Sequence, residues 1–137
     1  MAANGIVREA LGDLDARLDH WKQTLVDLCR IPSVSAAGFP PEEVRRSAQT
    51  MAQALRDAGV EHVEVLEIPG VHPYVYGDWL HRPGAADDKG GVLAHVAAVG
   101  SYLRAARTLP LNVKFIIEGE EEIGSRNLGR FLEQYRC

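Results

Sequence analysis

Four carboxylates occupy five positions directly after an apolar segment: Glu118, Glu120, Glu121 and Glu122. So much like charge at the end of a buried segment is unfavourable unless water solvates it or a cation lies among it. Such carboxylates can bind a divalent cation or exchange protons with a reacting water. A solvated acidic loop leading into the next helix explains the same run, because carboxylates suit the positive end of a helix. The run alone leaves both interpretations open.

A second acidic motif, residues 87–91, precedes a segment whose apolar residues recur at helical spacing. Asp87 or Asp88 could simply cap that helix, which is the commonest use of Asp at such a position. The pair of glycines in the motif favours a closer approach of another group to the backbone. In an open α/β sheet, strand ends and helix starts at one edge line the same crevice, so Asp87 could meet Glu121 and Glu122. Three converging carboxylates would suit a hard or borderline divalent cation.

The two motifs together resemble those of the zinc-dependent dipeptidases and deacylases. Residues 87–90 match an Asp-x-Lys-Gly motif and residues 118–125 match a Glu-Glu motif, in the family's order. Residues 30–35 and 70–73 are also similar to the dipeptidase branch. The family includes carnosine dipeptidase, glutamate carboxypeptidase, acetylornithine deacetylase and succinyl-diaminopimelate desuccinylase. The likeness covers nearly all of this chain but only the front part of a family member.

This resemblance implies a fold, a reaction and a role for three residues. The fold would be α/β, with a mixed sheet covered by helices in an α/β/α sandwich. The reaction would be hydrolysis of a peptide or amide bond in a dipeptide or an N-acyl amino acid. Asp87 would bridge two zinc ions, Glu122 would bind one of them, and Glu121 would be the general base for the metal-bound water. Manganese or cobalt are alternatives to zinc.

The sequence departs from the family between Trp79 and Asp87. Family members insert there a strand that ends in a His-x-Asp motif, whose His binds zinc and whose Asp orients the catalytic Glu. No His in this sequence has an Asp two residues later, so the join at residues 84–87 indicates an internal deletion. The family's remaining zinc ligands and its dimerising lid domain would follow residue 137. We therefore expect residues 1–137 to be a partial catalytic domain, with a non-catalytic remnant or interaction module bearing a weak acidic metal site as the alternative.

Composition narrows the class of protein. The chain has 137 residues, 46% of them hydrophobic, and a net charge of -4. These values predict one globular domain and give no electrostatic reason to expect nucleic acid. The sequence contains no run of about 18 apolar residues, the length that would predict a membrane span. Its first residues lack the charged and then apolar pattern of a secretory signal. Cys29 and Cys137 form no metal or redox spacing, which favours a cytoplasmic protein with reduced thiols.

The remaining segments predict the elements around the motifs. One apolar stripe in a heptad spacing predicts a helix from about residue 5 to 30 that packs on the sheet: Val7, Leu11, Leu14, Leu18, Trp21, Leu25 and Leu28. A coiled-coil dimer is the alternative for this stripe. Pro41 begins a second helix that Gly59 ends. Strands are predicted at 62–68, 71–78 and 111–117, the first two as a hairpin around residues 69–70.

None of the histidines matches a metal ligand of the family that the sequence resembles. His62 and Glu64 fall on one face of a predicted strand, and exposed strand residues explain them. His20 and His72 are interpreted as surface residues, and His95 as part of a helix face. A ligand role for His81 or His95 is an alternative that activity would reveal.

Overall fold

The computed structural model describes residues 2–79 and 89–135. Its elements in chain order are α1 (Ala2–Ala16), α2 (Leu18–Cys29), α3 (Pro41–Asp57), β1 (Glu61–Leu66), β2 (Tyr74–Trp79), α4 (Lys89–Ala106), β3 (Val113–Ile117), a 3-10 turn (Glu121–Ile123) and α5 (Leu128–Gln134). The α/β fold class is confirmed. The predicted deletion at residues 84–87 lies outside the described residues.

The three strands form one sheet in the order β1-β2-β3. β1 and β2 make the predicted hairpin, in which Leu66 lies opposite Tyr74 and Gly70 takes a φ of 76° in the turn. β3 pairs with β2 from Val75 opposite Ile117 to Trp79 opposite Val113. Both pairs are antiparallel, so the mixed pattern that we expected is not present in the described part of the chain. The physical reason is that β3 hydrogen-bonds directly to β2 and runs in the opposite direction.

The main core lies between the sheet and three helices. Leu28 of α2, Leu55 of α3, Val96 of α4 and Phe115 of β3 are all buried in it. Gly77 of β2 permits this packing, because a Cβ there would lie 3.2 Å from Val60 Cγ1. Larger residues at that position would push the strand away from the helix layer. A second cluster holds α5 to the sheet, built on Ile68, Tyr74 and Phe131.

The predicted helix of residues 5–30 is two helices, which corrects the sequence interpretation. Arg17 interrupts the path with φ -105° and ψ 6°, and its N–H is shared between the carbonyls of Asp13 and Leu14 at 3.1 and 3.2 Å. α1 and α2 pack mainly on α4 and α3 rather than on the sheet. Burial also differs along the stripe: Trp21 and Leu28 are buried and Leu14 is partly buried, while Val7, Leu11 and Leu18 are exposed.

α3 follows its sequence signals closely. Pro41 is its first residue, and Gly59 follows its end with a φ of 90° that glycine adopts easily. Val44, Met51 and Leu55 form its buried face. None of the helices within residues 2–79 and 89–135 is long and apolar enough to cross a membrane.

Candidate active site

The acidic motif forms a closed turn at the end of β3. The carbonyl of Glu120 accepts hydrogen bonds from the N–H groups of Ile123 and Ser125, at 3.1 and 2.9 Å. The N–H of Gly124 donates to the carbonyl of Glu121 at 2.8 Å, and Gly124 has a φ of 84°. Because these bonds close the backbone on itself, the turn presents Glu121 and Glu122 from a fixed main chain.

Two of the four carboxylates are structural. Glu120 is only 2% exposed, and its Oε1 and Oε2 accept hydrogen bonds from Asn127 Nδ2 at 3.1 and 3.0 Å. The backbone N–H of Asn127 also donates to Glu120 Oε2, at 3.3 Å. Glu118 accepts a hydrogen bond from the hydroxyl of Ser125, seven residues along the chain. The interpretation of the run as a solvated acidic loop is therefore wrong for Glu118 and Glu120, while Glu121 is exposed.

A tyrosine lies buried near this turn. The Tyr74 hydroxyl and Glu118 Oε2 are both buried and have no hydrogen-bond partner within the described residues. Burial raises the pKa of Tyr74 to about 12, and the charges of Glu120 and Glu118 add to the effect. Its ring stacks on Phe131 with centroids 4.2 Å apart. On the side of the turn that meets β2 and α5, these polar atoms are therefore buried beside an aromatic stack.

The structure describes only part of the predicted metal site. Asp87 lies outside the described residues, so its predicted approach to Glu122 stays a prediction. Glu121 and Glu122 both lie in the 3-10 turn, as the first two of its three residues. Among the side chains that the structure describes, which do not include those of Asp87 and Glu122, no three from His, Cys, Asp or Glu come together in a way that could hold a metal ion.

A polar cluster on β1 and β2 was missed by sequence reasoning. Asp78 is buried in β2, where His62 Nδ1 lies 2.8 Å from its Oδ1 and the Tyr76 hydroxyl donates to its Oδ2. His62 has a φ of 46° and lies in a β-bulge between Glu61 and Glu64. A signal was available, because an Asp inside an aromatic and apolar strand needs polar partners. The contact between His62 of β1 and Asp78 of β2 therefore joins the two strands through their side chains.

The other histidines are less organised. His20 is exposed, as expected, whereas His95 on α4 is exposed rather than partly covered by its neighbours. His72 was interpreted as a surface residue, but it is half-buried, with Nε2 3.2 Å from the carbonyl of Ser35. His81 lies outside the described residues.

Sequence comparison decides the family. Residues 67–136 match the profile of Peptidase family M20/M25/M40. The chain belongs to this peptidase family. Its relatives include the Beta-Ala-His dipeptidase of Homo sapiens, 47% identical over 55 residues that make up 40% of this chain and 11% of that protein. The Beta-Ala-His dipeptidase of Rattus norvegicus is 52% identical over 46 residues, which are 34% of this chain and 9% of the rat protein.

Solved structures show the same fold. The di-peptidase Dug1p from Saccharomyces cerevisiae superposes with a TM-score of 0.79 at 14% identity, over 93% of this chain and 37% of that one. Human carnosine dipeptidase 1 gives a TM-score of 0.78 at 23% identity, over 94% of this chain and 38% of that one. The match therefore covers a fraction of each relative, and this family member spans well under half of those chains.

Proposed function

We propose that this chain carries the front part of the catalytic domain of a metal-dependent dipeptidase. Membership of the M20/M25/M40 peptidases and the likeness to Beta-Ala-His dipeptidases support peptide hydrolysis. The observation that carries the proposal is the closed turn after β3. It holds Glu118 and Glu120 by hydrogen bonds, and Glu121 and Glu122 are the first two residues of its 3-10 turn. A non-catalytic module is not favoured, because family membership supports a hydrolase.

The two neighbouring glutamates would divide the chemistry. Glu122, with Asp87, would hold zinc, or manganese or cobalt in its place. Bound zinc would acidify a water molecule. Glu121 is exposed. It would accept a proton from the attacking water and return it to the leaving amine. Proton transfer of this kind accelerates a reaction about 100- to 10,000-fold. The substrate would be a dipeptide such as β-alanyl-histidine, or an N-acyl amino acid.

This chain alone should bind metal poorly. Zinc sites take about three or four protein ligands per ion, with imidazole prominent, whereas the sequence offers the pair Asp87 and Glu122 and no matched His. We further propose that residues 1–137 form part of a catalytic domain. We expect a dissociation constant for zinc no tighter than about millimolar, because two carboxylates hold zinc poorly without imidazole and without further ligands. We also expect dipeptide turnover indistinguishable from buffer.

Calorimetric zinc titration tests the assignment of the two glutamates. Glu122→Gln should weaken zinc binding, whereas Glu121→Gln should leave it unchanged because a general base is not a ligand. Glu133→Gln, an exposed glutamate on α5, controls for the loss of one negative charge. Equal zinc binding by wild type and Glu122→Gln would refute the ligand assignment.

Hydrolysis of β-alanyl-histidine in the presence of zinc tests the reaction. Turnover at the level of buffer agrees with an incomplete site. Robust cleavage that Glu121→Gln abolishes would confirm the base and would show that further ligands, such as His81, His95 or a second chain, complete the site.

The remaining assignments rest on the sequence. We propose a cytoplasmic location on the cysteine pattern, and we expect neither nucleic acid nor membrane as a partner on the charge and the hydropathy of the chain.

A further inference from the structure

Three large aliphatic side chains near the start of the chain are exposed. Val7 is 47% exposed, Leu11 56% and Leu18 46%; together they are called the N-terminal stripe. α1 is already held to α4 by a different side, where Arg104 Nη2 lies 2.7 Å from Asp13 Oδ2. Asp13 is about 200° around the helix from Leu11, so Leu11 lies on the side of α1 opposite this ion pair.

The stripe continues across the interruption at Arg17. The N–H of Arg17 donates to the carbonyl of Asp13 at 3.1 Å, and the N–H of Trp21 donates to the carbonyl of Arg17 at 3.0 Å. These bonds continue the helical hydrogen-bond pattern past Arg17, and the spacing of four and then seven residues is that of one helix face. On a helix that rises 1.5 Å per residue, Val7 and Leu18 lie about 16 Å apart.

Charges that flank the stripe select its occupant. Arg8 and Asp15 follow Val7 and Leu14 on the same side of the stripe, both are exposed, and neither has an ion-pair partner in the described part of the chain. If two copies pair in opposite directions, Arg8 of each copy faces the partner's Asp15, and the twofold symmetry forms this pair twice. If they pair in the same direction, Arg17 faces the partner's Lys22, which places like charges together.

We propose that the N-terminal stripe is a self-association surface on which a second copy of this chain docks in antiparallel orientation. Val7 of one copy then packs against the partner's Leu18, and Leu11 packs near the twofold axis. The surface is small, which places it among weak interfaces that bury less than about 1,200 Å². We expect a dissociation constant of about 10 to 100 μM, because a few aliphatic contacts barely exceed the loss of free motion.

Sedimentation equilibrium of the whole chain from about 5 to 500 μM tests the proposal in that affinity range. Wild type should move from monomer to dimer over this range, and Leu11→Glu should raise the dissociation constant at least tenfold. Leu132→Glu is the matched control, because Leu132 is a helical leucine of similar exposure, 48%, on α5. Wild type that stays monomeric at every concentration, or a dimer that Leu11→Glu leaves intact, would overturn the proposal.

A charge exchange tests the orientation. Arg8→Glu should weaken the dimer, because it places two carboxylates together at each pair, and Arg8→Glu combined with Asp15→Arg should restore it. Failure of the double variant to restore association would overturn the antiparallel arrangement. Circular dichroism of each variant establishes that helix content is retained, which is expected because all substituted side chains are exposed.

Discussion

Tyr74 offers a direct test of how dry the interior beside the acidic turn is. Its hydroxyl is buried without a hydrogen-bond partner in the described ranges, and burial raises its pKa to about 12. Since the folded protein holds the phenolic proton more tightly than the unfolded chain, this group's contribution to stability is full below pH 10, the ordinary pKa. It is lost as the pH rises through about 12. We therefore expect Tyr74→Phe to remove part of the alkaline loss of stability.

The size of the effect follows from the shift. Two pKa units correspond to about 2.7 kcal/mol over the whole pH window, and about 1.4 kcal/mol of this is lost by pH 11. Below pH 10, Tyr74→Phe should be neutral or stabilising by up to about 1 kcal/mol, because it removes an unpaired buried hydroxyl. The ring stacked on Phe131 is retained in this substitution.

The assay is urea unfolding of wild type and Tyr74→Phe at pH 8 and pH 11. The difference between the two proteins isolates Tyr74, because every other group that titrates at high pH is present in both. Tyr102→Phe controls for the loss of a tyrosine hydroxyl on α4. The free energy of unfolding of wild type should fall by about 1.4 kcal/mol more than that of Tyr74→Phe. Parallel losses in the two proteins would refute the reasoning, because they would mean that water reaches the hydroxyl.

Three further substitutions probe other polar contacts. Asn127→Ala should lower the free energy of unfolding by about 1–3 kcal/mol, because it leaves the buried carboxylate of Glu120 without its amide partner; an unchanged urea midpoint would contradict this. The Arg104 guanidinium lowers the pKa of Asp13, so this pair stabilises the fold above pH 3.8, the ordinary value, and the contribution is lost as the pH falls below it. Arg104→Met should therefore cost about 1 kcal/mol at pH 7 and reduce the acid dependence of thermal unfolding. His62→Ala should cost about 1–2 kcal/mol in chemical unfolding, because it removes one partner of the buried carboxylate on β2; His62→Gln, which retains a donor, should cost less.

Local signals predicted those elements whose cause lies within a few residues. The turn at residues 69–70 follows from the freedom of Gly to adopt a positive φ, and the start of α3 at Pro41 follows from the fixed φ of Pro. Both are confirmed. The heptad spacing correctly indicated an apolar helix face. It could not indicate what covers that face, because burial depends on how α4 packs, and Leu11 is left exposed.

Pairing across distance was the part that sequence reasoning could not supply. The direction of β3 depends on which strand lies beside it, and an apolar run is compatible with either direction. The roles of the four glutamates in the acidic run could not be predicted for a similar reason. A glutamate held by hydrogen bonds and an exposed glutamate are the same residue in the sequence. Ser125 and Asn127, seven residues after Glu118 and Glu120, are the partners that separate the two kinds.

This separation bears on how the proposed chemistry would be prepared. The turn that carries Glu121 and Glu122 is held by hydrogen bonds from Ser125 and Asn127 and by its own backbone. None of these bonds involves a metal ligand of the proposed site, so the turn keeps its shape whether or not a cation is bound. Charge stabilisation is most effective where the groups are fixed before the reaction, because no energy is then spent on orienting them. Substitution of the proposed ligand Glu122 should accordingly change metal affinity without changing the fold, whereas substitution of Asn127 should change both.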